Sequence, residues 1–254
     1  MPKKTPKQPK KRTLLVTLTN EPVQPVRLYY AIPDRVVVTK SLRKLRCMDE
    51  VPEERCWQWL FEAEAADLPI ADGYEAVPAH RRPIVLGRVH FPREGSMTIT
   101  TNSMDRALAA ARFFAPRLGT EVVAMRCRMV NRFFAGDEGP LDELMKLLDQ
   151  DVTVIDPRAA EEKFKHTFEG VTTLAEAERV ADASMRDTIA SGEDVPNVED
   201  FPLAPEEETP EFKHLETTLN LRKIRAMEHW KGNTHLTLSA IILRTIEQHM
   251  RRNG

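Results

Sequence analysis

Glycine is scarce in this chain: ten residues in 254, about 4% where roughly 7% is ordinary. Loops that cradle phosphates are built from glycine. None of the glycine-framed patterns GxxxxGK[ST], GxGxxG or GxSxG occurs. Their absence argues against P-loop hydrolysis of nucleotides, a Rossmann cofactor and α/β-hydrolase chemistry. Cysteine is sparse too, and the count of three is odd. That fits a reducing compartment, so a cytoplasmic protein is expected, and it argues against a disulfide framework. No CxxC, HxxxH or HExxH pattern supplies metal ligands at a recognised spacing. No apolar run approaches the ~18–20 residues of a membrane span. The run Leu14–Thr19 behind the basic N-terminus is too short and too polar for a secretory signal.

What is present is 41% hydrophobic and 30% charged residues, enough apolar mass for a folded core. The net charge of −2 conceals an asymmetry. Residues 1–12 hold six basic side chains (Lys3, Lys4, Lys7, Lys10, Lys11 and Arg12) and no acidic one. Residues 137–211 hold 22 acidic against 6 basic, and residues 212–254 hold 8 basic against 3 acidic. Basic ends therefore flank an acidic middle. Two uses suit that layout: a tail that touches a polyanion while the acidic segment competes for it, or a solvated leader with intramolecular charge balance.

Residues 1–12, rich in Lys and Pro, are expected to be a disordered tail. Leu14–Thr19, Val26–Ile32 and Arg35–Thr39 read as strands. Met48–Leu68 reads as a helix, with Trp57, Leu60, Phe61 and Leu68 at helical spacing. Ile84–Phe91 and Ser96–Thr101 predict a hairpin across a Gly-containing turn. Asn102 or Ser103 should cap a helix that carries Met104, Leu108, Ala111, Ala115 and Leu118 and stops at Gly119. Glu121–Phe134 reads as a strand, Pro140 opens a short helix through Leu148, and Val152–Ile155 reads as a last strand. The fold class expected is α+β, a mixed or antiparallel sheet with helices on one face, centred on a β-β-α-β-α-β unit over 84–156 within a domain spanning 13–190. Asp156-Pro157 should start a helix, and Thr173 with Glu176 forms a capping box for another that Gly192 closes. Residues 191–211, acidic and Pro-rich, read as a linker. Residues 212–254 read as a helical hairpin, with Leu215, Leu219, Ile224, Leu238, Ile241, Ile242 and Ile246 expected in its buried stripe.

For chemistry, Cys127 falls on a strand with Met125 and Met129 on the same side, which predicts an inert buried thiol. Cys47 and Cys56 have no histidine at a supporting spacing. His214, His229 and His235 are the candidates for a zinc trio around the turn at Gly232, beside the simpler reading of three separate histidines. Neither a catalytic residue nor a cofactor is expected. The strongest pattern is the strand around AMRCRMVNRFF. Side chains alternate across a sheet, so Arg126, Arg128 and Arg132 share one side. Arg88 and His90 in one hairpin strand, and Thr98 and Thr100 in the other, would extend that side if the strands pair in register. A fixed array of arginines suits phosphate, carboxylate or an RNA backbone, although stacking aromatics are lacking. The same array would equally serve to dock the acidic 137–211 segment.

The expected function is thus a non-enzymatic intracellular binding or adaptor protein. Its partner would be nucleic acid or an acidic protein surface, held by Lys3, Lys4, Lys10, Lys11, Arg12, Arg88, Arg126, Arg128 and Arg132. The alternatives are a small hydrolase or transferase for an anionic substrate without a familiar motif, and a protein-interaction module that self-associates through 212–250.

Overall fold

Val26–Ala31 alternates buried Val26, Leu28 and Tyr30 with half-exposed Arg27 and Tyr29. This strand, β1, sits inside the sheet. The computed structural model describes residues 12–70, 72, 74–152, 162, 165–203 and 212–253. Its strands are β1, β2 (Met48–Val51), β3 (Cys56–Leu60), β4 (Val85–His90), β5 (Ser96–Thr101), β6 (Val123–Val130) and β7 (Val198–Pro202). They form one open sheet in the order β2-β3-β4-β5-β1-β6-β7, with every neighbouring pair antiparallel. The helices include α1 (Arg35–Leu42), α2 (Met104–Leu118), α3 (Leu141–Met145), α4 (Leu174–Ser191), α5 (Lys213–Trp230) and α6 (Leu238–Asn253). The fold is α+β, and α5 and α6 are in contact as a C-terminal pair.

Cross-strand pairing builds the inner face in rows. Trp57, Val89, Ile99, Leu28, Cys127 and Phe201 lie opposite one another from β3 to β7. Helix α2 covers this face. Ser103 accepts a hydrogen bond from the Arg106 amide at its start, which satisfies one of the free donors of the first turn. Its Phe113 and Phe114 rings meet Trp59 at 5.2 Å centroid separation each. Gly87 lies directly beside Trp59 and Thr101, where a Cβ would come within 2.9 Å of the Thr100 carbonyl oxygen. A second, smaller cluster of Val130, Phe134, Leu144, Leu148 and Val198 lies apart from the main core. Val130 and Val198 face each other on the opposite side of the sheet from Cys127, so α3 and the 3-10 turn after it pack on the outer face.

Several expectations are corrected. Arg35–Leu42 is a helix, because Asp34 accepts from the Val36 amide and the cap outweighs the β preference of three valines. The stretch read as one helix from Met48 is β2, a 3-10 turn and β3. Arg55 has a left-handed backbone (φ 52) that no helix continues, and Trp57 and Trp59 recur with the period of a strand. Leu14–Thr19 makes only isolated bridges. The 191–211 segment contains β7, whose Glu199 and Asp200 are buried, so 193–203 is not an unstructured linker. Met125 is exposed, because the β1–β6 register shifts beside it and turns it away from Cys127 and Met129.

In the hairpin, Leu215, Leu219 and Ile241 are buried, but Ile224 and Ile246 are exposed. The buried side of α5 carries Arg222 and Arg225 instead, paired with Glu199 at 2.7 Å and with Asp194. The expected helix after Asp156 and the last strand beyond Val152 lie outside the described residues, as does the tail through Lys11. Among the described residues no helix is long and apolar enough to cross a membrane.

Candidate functional site

The outer face of the sheet is polar, and its side chains also line up in rows. One row runs across all seven strands: Asp49, Gln58, Arg88, Thr100, Arg27, Arg128 and Asp200. The next holds Cys56, His90, Thr98, Tyr29 and Arg126. The parities read from the sequence for Arg88, His90, Thr98, Thr100, Arg126 and Arg128 therefore meet on one face. Arg27 and Tyr29 of β1 complete it, inserted between β5 and β6. Local sequence gives no sign that β1 takes this place.

The arginines divide into two groups. Toward β7, Arg126 and Arg128 both pair with Asp200, whose side chain is fully buried. Arg128 Nε donates to Asp200 Oδ2 at 2.9 Å, and its Nη1 donates to the Leu148 and Gln150 carbonyls at 3.0 and 3.1 Å. The Arg126 guanidinium also lies 3.6 Å from the Tyr29 ring centroid. These two arginines dock the acidic segment, the second of the uses read from the sequence. Arg132 lies beyond the end of β6 and pairs with Glu138 at 2.5 Å. Arg12 lies 3.5 Å from the same carboxylate, with its guanidinium over Trp230. Burial would raise Glu138, but the Ala135 amide and Arg132 outweigh it and hold the carboxyl below the usual glutamate range.

Toward β4, Arg27 and Arg88 line an open groove of about 660 Å³ with Thr98, Thr100 and His90, and α3 contributes Leu141 and Met145 to one wall. Arg88 is the more accessible arginine, with nearly half its side chain exposed and Glu54 at 3.5 Å. Arg27 donates to Thr100 Oγ1 at 3.2 Å and to Asp149 at 2.7 Å. Burial, then the charges of Arg27 and Arg88, hold His90 below the ordinary histidine value, so it is neutral at pH 7. Cys56 lies directly opposite His90 on β3, a neighbour that sequence spacing did not reveal. Burial pushes the Cys56 thiol up and Glu54 adds to the shift. Burial likewise pushes Cys47 up to about 12 and raises Cys127. All three are protonated at neutral pH and are poor nucleophiles.

The three histidines do not form a zinc trio. His229 Nε2 donates to the Leu236 carbonyl at 2.8 Å and His214 packs edge-on against Phe201. Among the described residues no group of three or more His, Cys, Asp or Glu is placed to hold a metal ion. Comparison with protein-family models, with curated proteins and with solved structures finds no match to this chain.

Proposed function

We propose that this is a binding protein that holds the phosphate group of an anionic ligand in the groove over β4, β5 and β1. The observation that carries this reading is the row Arg88–Thr100–Arg27 at the floor of an open groove of about 660 Å³. Two guanidiniums flank a hydroxyl there, the donor set that suits a tetrahedral oxyanion. Arg126 and Arg128, engaged with Asp200, are assigned to the fold and not to the ligand.

Two sources carry this chemistry: a small phosphorylated molecule and a phosphodiester of a nucleic-acid strand. A strand would also draw on the positive charge of Lys3, Lys4, Lys10 and Lys11, which strengthens attraction to any polyanion. Titration of the full chain with inorganic phosphate and with a short single-stranded oligonucleotide separates the two. Oligonucleotide binding whose log K falls with log salt by about 0.7 per phosphate engaged points to the strand. Phosphate binding with no gain from the oligonucleotide points to a small molecule. Failure of both ligands to bind contradicts the proposal.

A further inference from the structure

Val85, Asn102 and Leu141 line the groove on one side and a second cavity, of about 400 Å³, on the other. The two therefore adjoin along a shared wall, and their linings differ. The groove is floored by Arg27, Arg88, Thr98 and Thr100, whereas the second cavity is walled mainly by apolar side chains, among them Leu15, Val16, Leu18, Val23 and Ile84, with Arg81 and Arg106 also present. Val16 and Leu18 are 40% and 49% exposed. Their neighbours Thr17 and Thr19 bond to buried Glu21, which ties this segment down. The apolar side chains at the mouth of the cavity are thus held in place without being covered by the described residues. Asn102 lies in the wall that the two cavities share.

We infer that the two cavities are the two halves of one site for a small amphiphilic anion. Its phosphate head lies against Arg88 and Arg27, and a single apolar chain lies against Val16, Leu18 and Ile84. This rests on the anion-binding reading of the groove and selects the small-molecule source. Each cavity lies within the roughly 300–1,000 Å³ typical of small-molecule pockets. Arg81 and Arg106 also line the second one, but Arg106 is committed to Glu21 and Thr19, and the predominantly apolar wall suits a hydrocarbon chain better than a phosphodiester backbone.

The test is calorimetric titration of the full chain with ethyl, butyl and hexyl phosphate at one pH and salt. Affinity should rise about fourfold per added methylene, the gain expected when each is buried. Val16→Asp should flatten the series, and Leu18→Asp should repeat the effect at a second position, with thermal melts confirming that both variants fold. If ethyl phosphate binds and the wild-type series is flat, the amphiphile is wrong while the anion site stands. If the series rises as steeply in both variants as in wild type, the chain lies elsewhere and the inference fails. If no alkyl phosphate binds, the anion-binding reading falls and this inference falls with it.

Discussion

Asp200 sits at the strand-to-strand junction between β6 and β7 with its side chain fully buried, and one of its oxygens meets two guanidiniums. A carboxylate taken out of water is stable only while its partners remain. Arg128→Ala strips the more buried partner, 14% exposed, together with its bonds to the Leu148 and Gln150 carbonyls. It should cost about 3–5 kcal/mol in a urea unfolding experiment. A cost under about 0.5 kcal/mol would show that Asp200 has no need of Arg128. Glu21 poses the same problem elsewhere. Burial alone would raise its carboxyl, but Arg106 at 3.0 Å and the hydroxyls of Thr17 and Thr19 outweigh burial and hold it below the ordinary glutamate value. A group with a lowered folded-state pKa adds stability above its unfolded value, about 4.3 for Glu, and that stability is lost as pH falls through the folded value. The melting temperature of wild type should therefore drop more steeply below about pH 4.3 than that of Glu21→Gln, which starts lower at neutral pH. Parallel profiles for the two proteins would contradict this.

At the level of elements, the cap at Ser103, the stop at Gly119, the β4–β5 hairpin and the capping box of α4 were legible because each is a local signal. The misread segments are those where a local signal conflicts with a cap or a period. Three valines look like a strand until Asp34 is weighed as a cap. Trp57, Leu60 and Phe61 look helical until Trp57 and Trp59 are counted as a pair. β7 was hidden because its acids and prolines resemble a linker, and only Arg222, Arg126 and Arg128 elsewhere in the chain make it a buried strand. The C-terminal hairpin follows from the same cause: its stripe is turned so that arginines face β7. Ile241 is buried and Ile242 only half-buried. Ile241→Ala should accordingly cost about 2–5 kcal/mol and Ile242→Ala clearly less, measured by chemical denaturation. The reverse order would mean that α6 is rotated from the position described.

For the whole molecule, alternation along single strands identified which side chains share a face, and the pairing confirms it for Arg88, His90, Thr98, Thr100, Arg126 and Arg128. Strand order was not readable. β1 precedes the hairpin by more than fifty residues in sequence yet lies between β5 and β6, so nothing local in the sequence places Arg27 on this face. Parity alone groups Arg132 with the others, but β6 ends at Val130 and Arg132 turns to Glu138. The fold thus divides one apparent arginine array into a half that holds β7 and a half that floors an open groove. Binding of inorganic phosphate by wild type, Arg88→Ala and Arg132→Ala, followed by titration calorimetry at low salt, tests that division most directly. Arg88→Ala should weaken phosphate at least about tenfold, the scale of one lost charge-assisted bond, with the melting temperature nearly unchanged, while Arg132→Ala keeps wild-type affinity. Equal affinity in wild type and Arg88→Ala would contradict the assignment of the groove as the anion site.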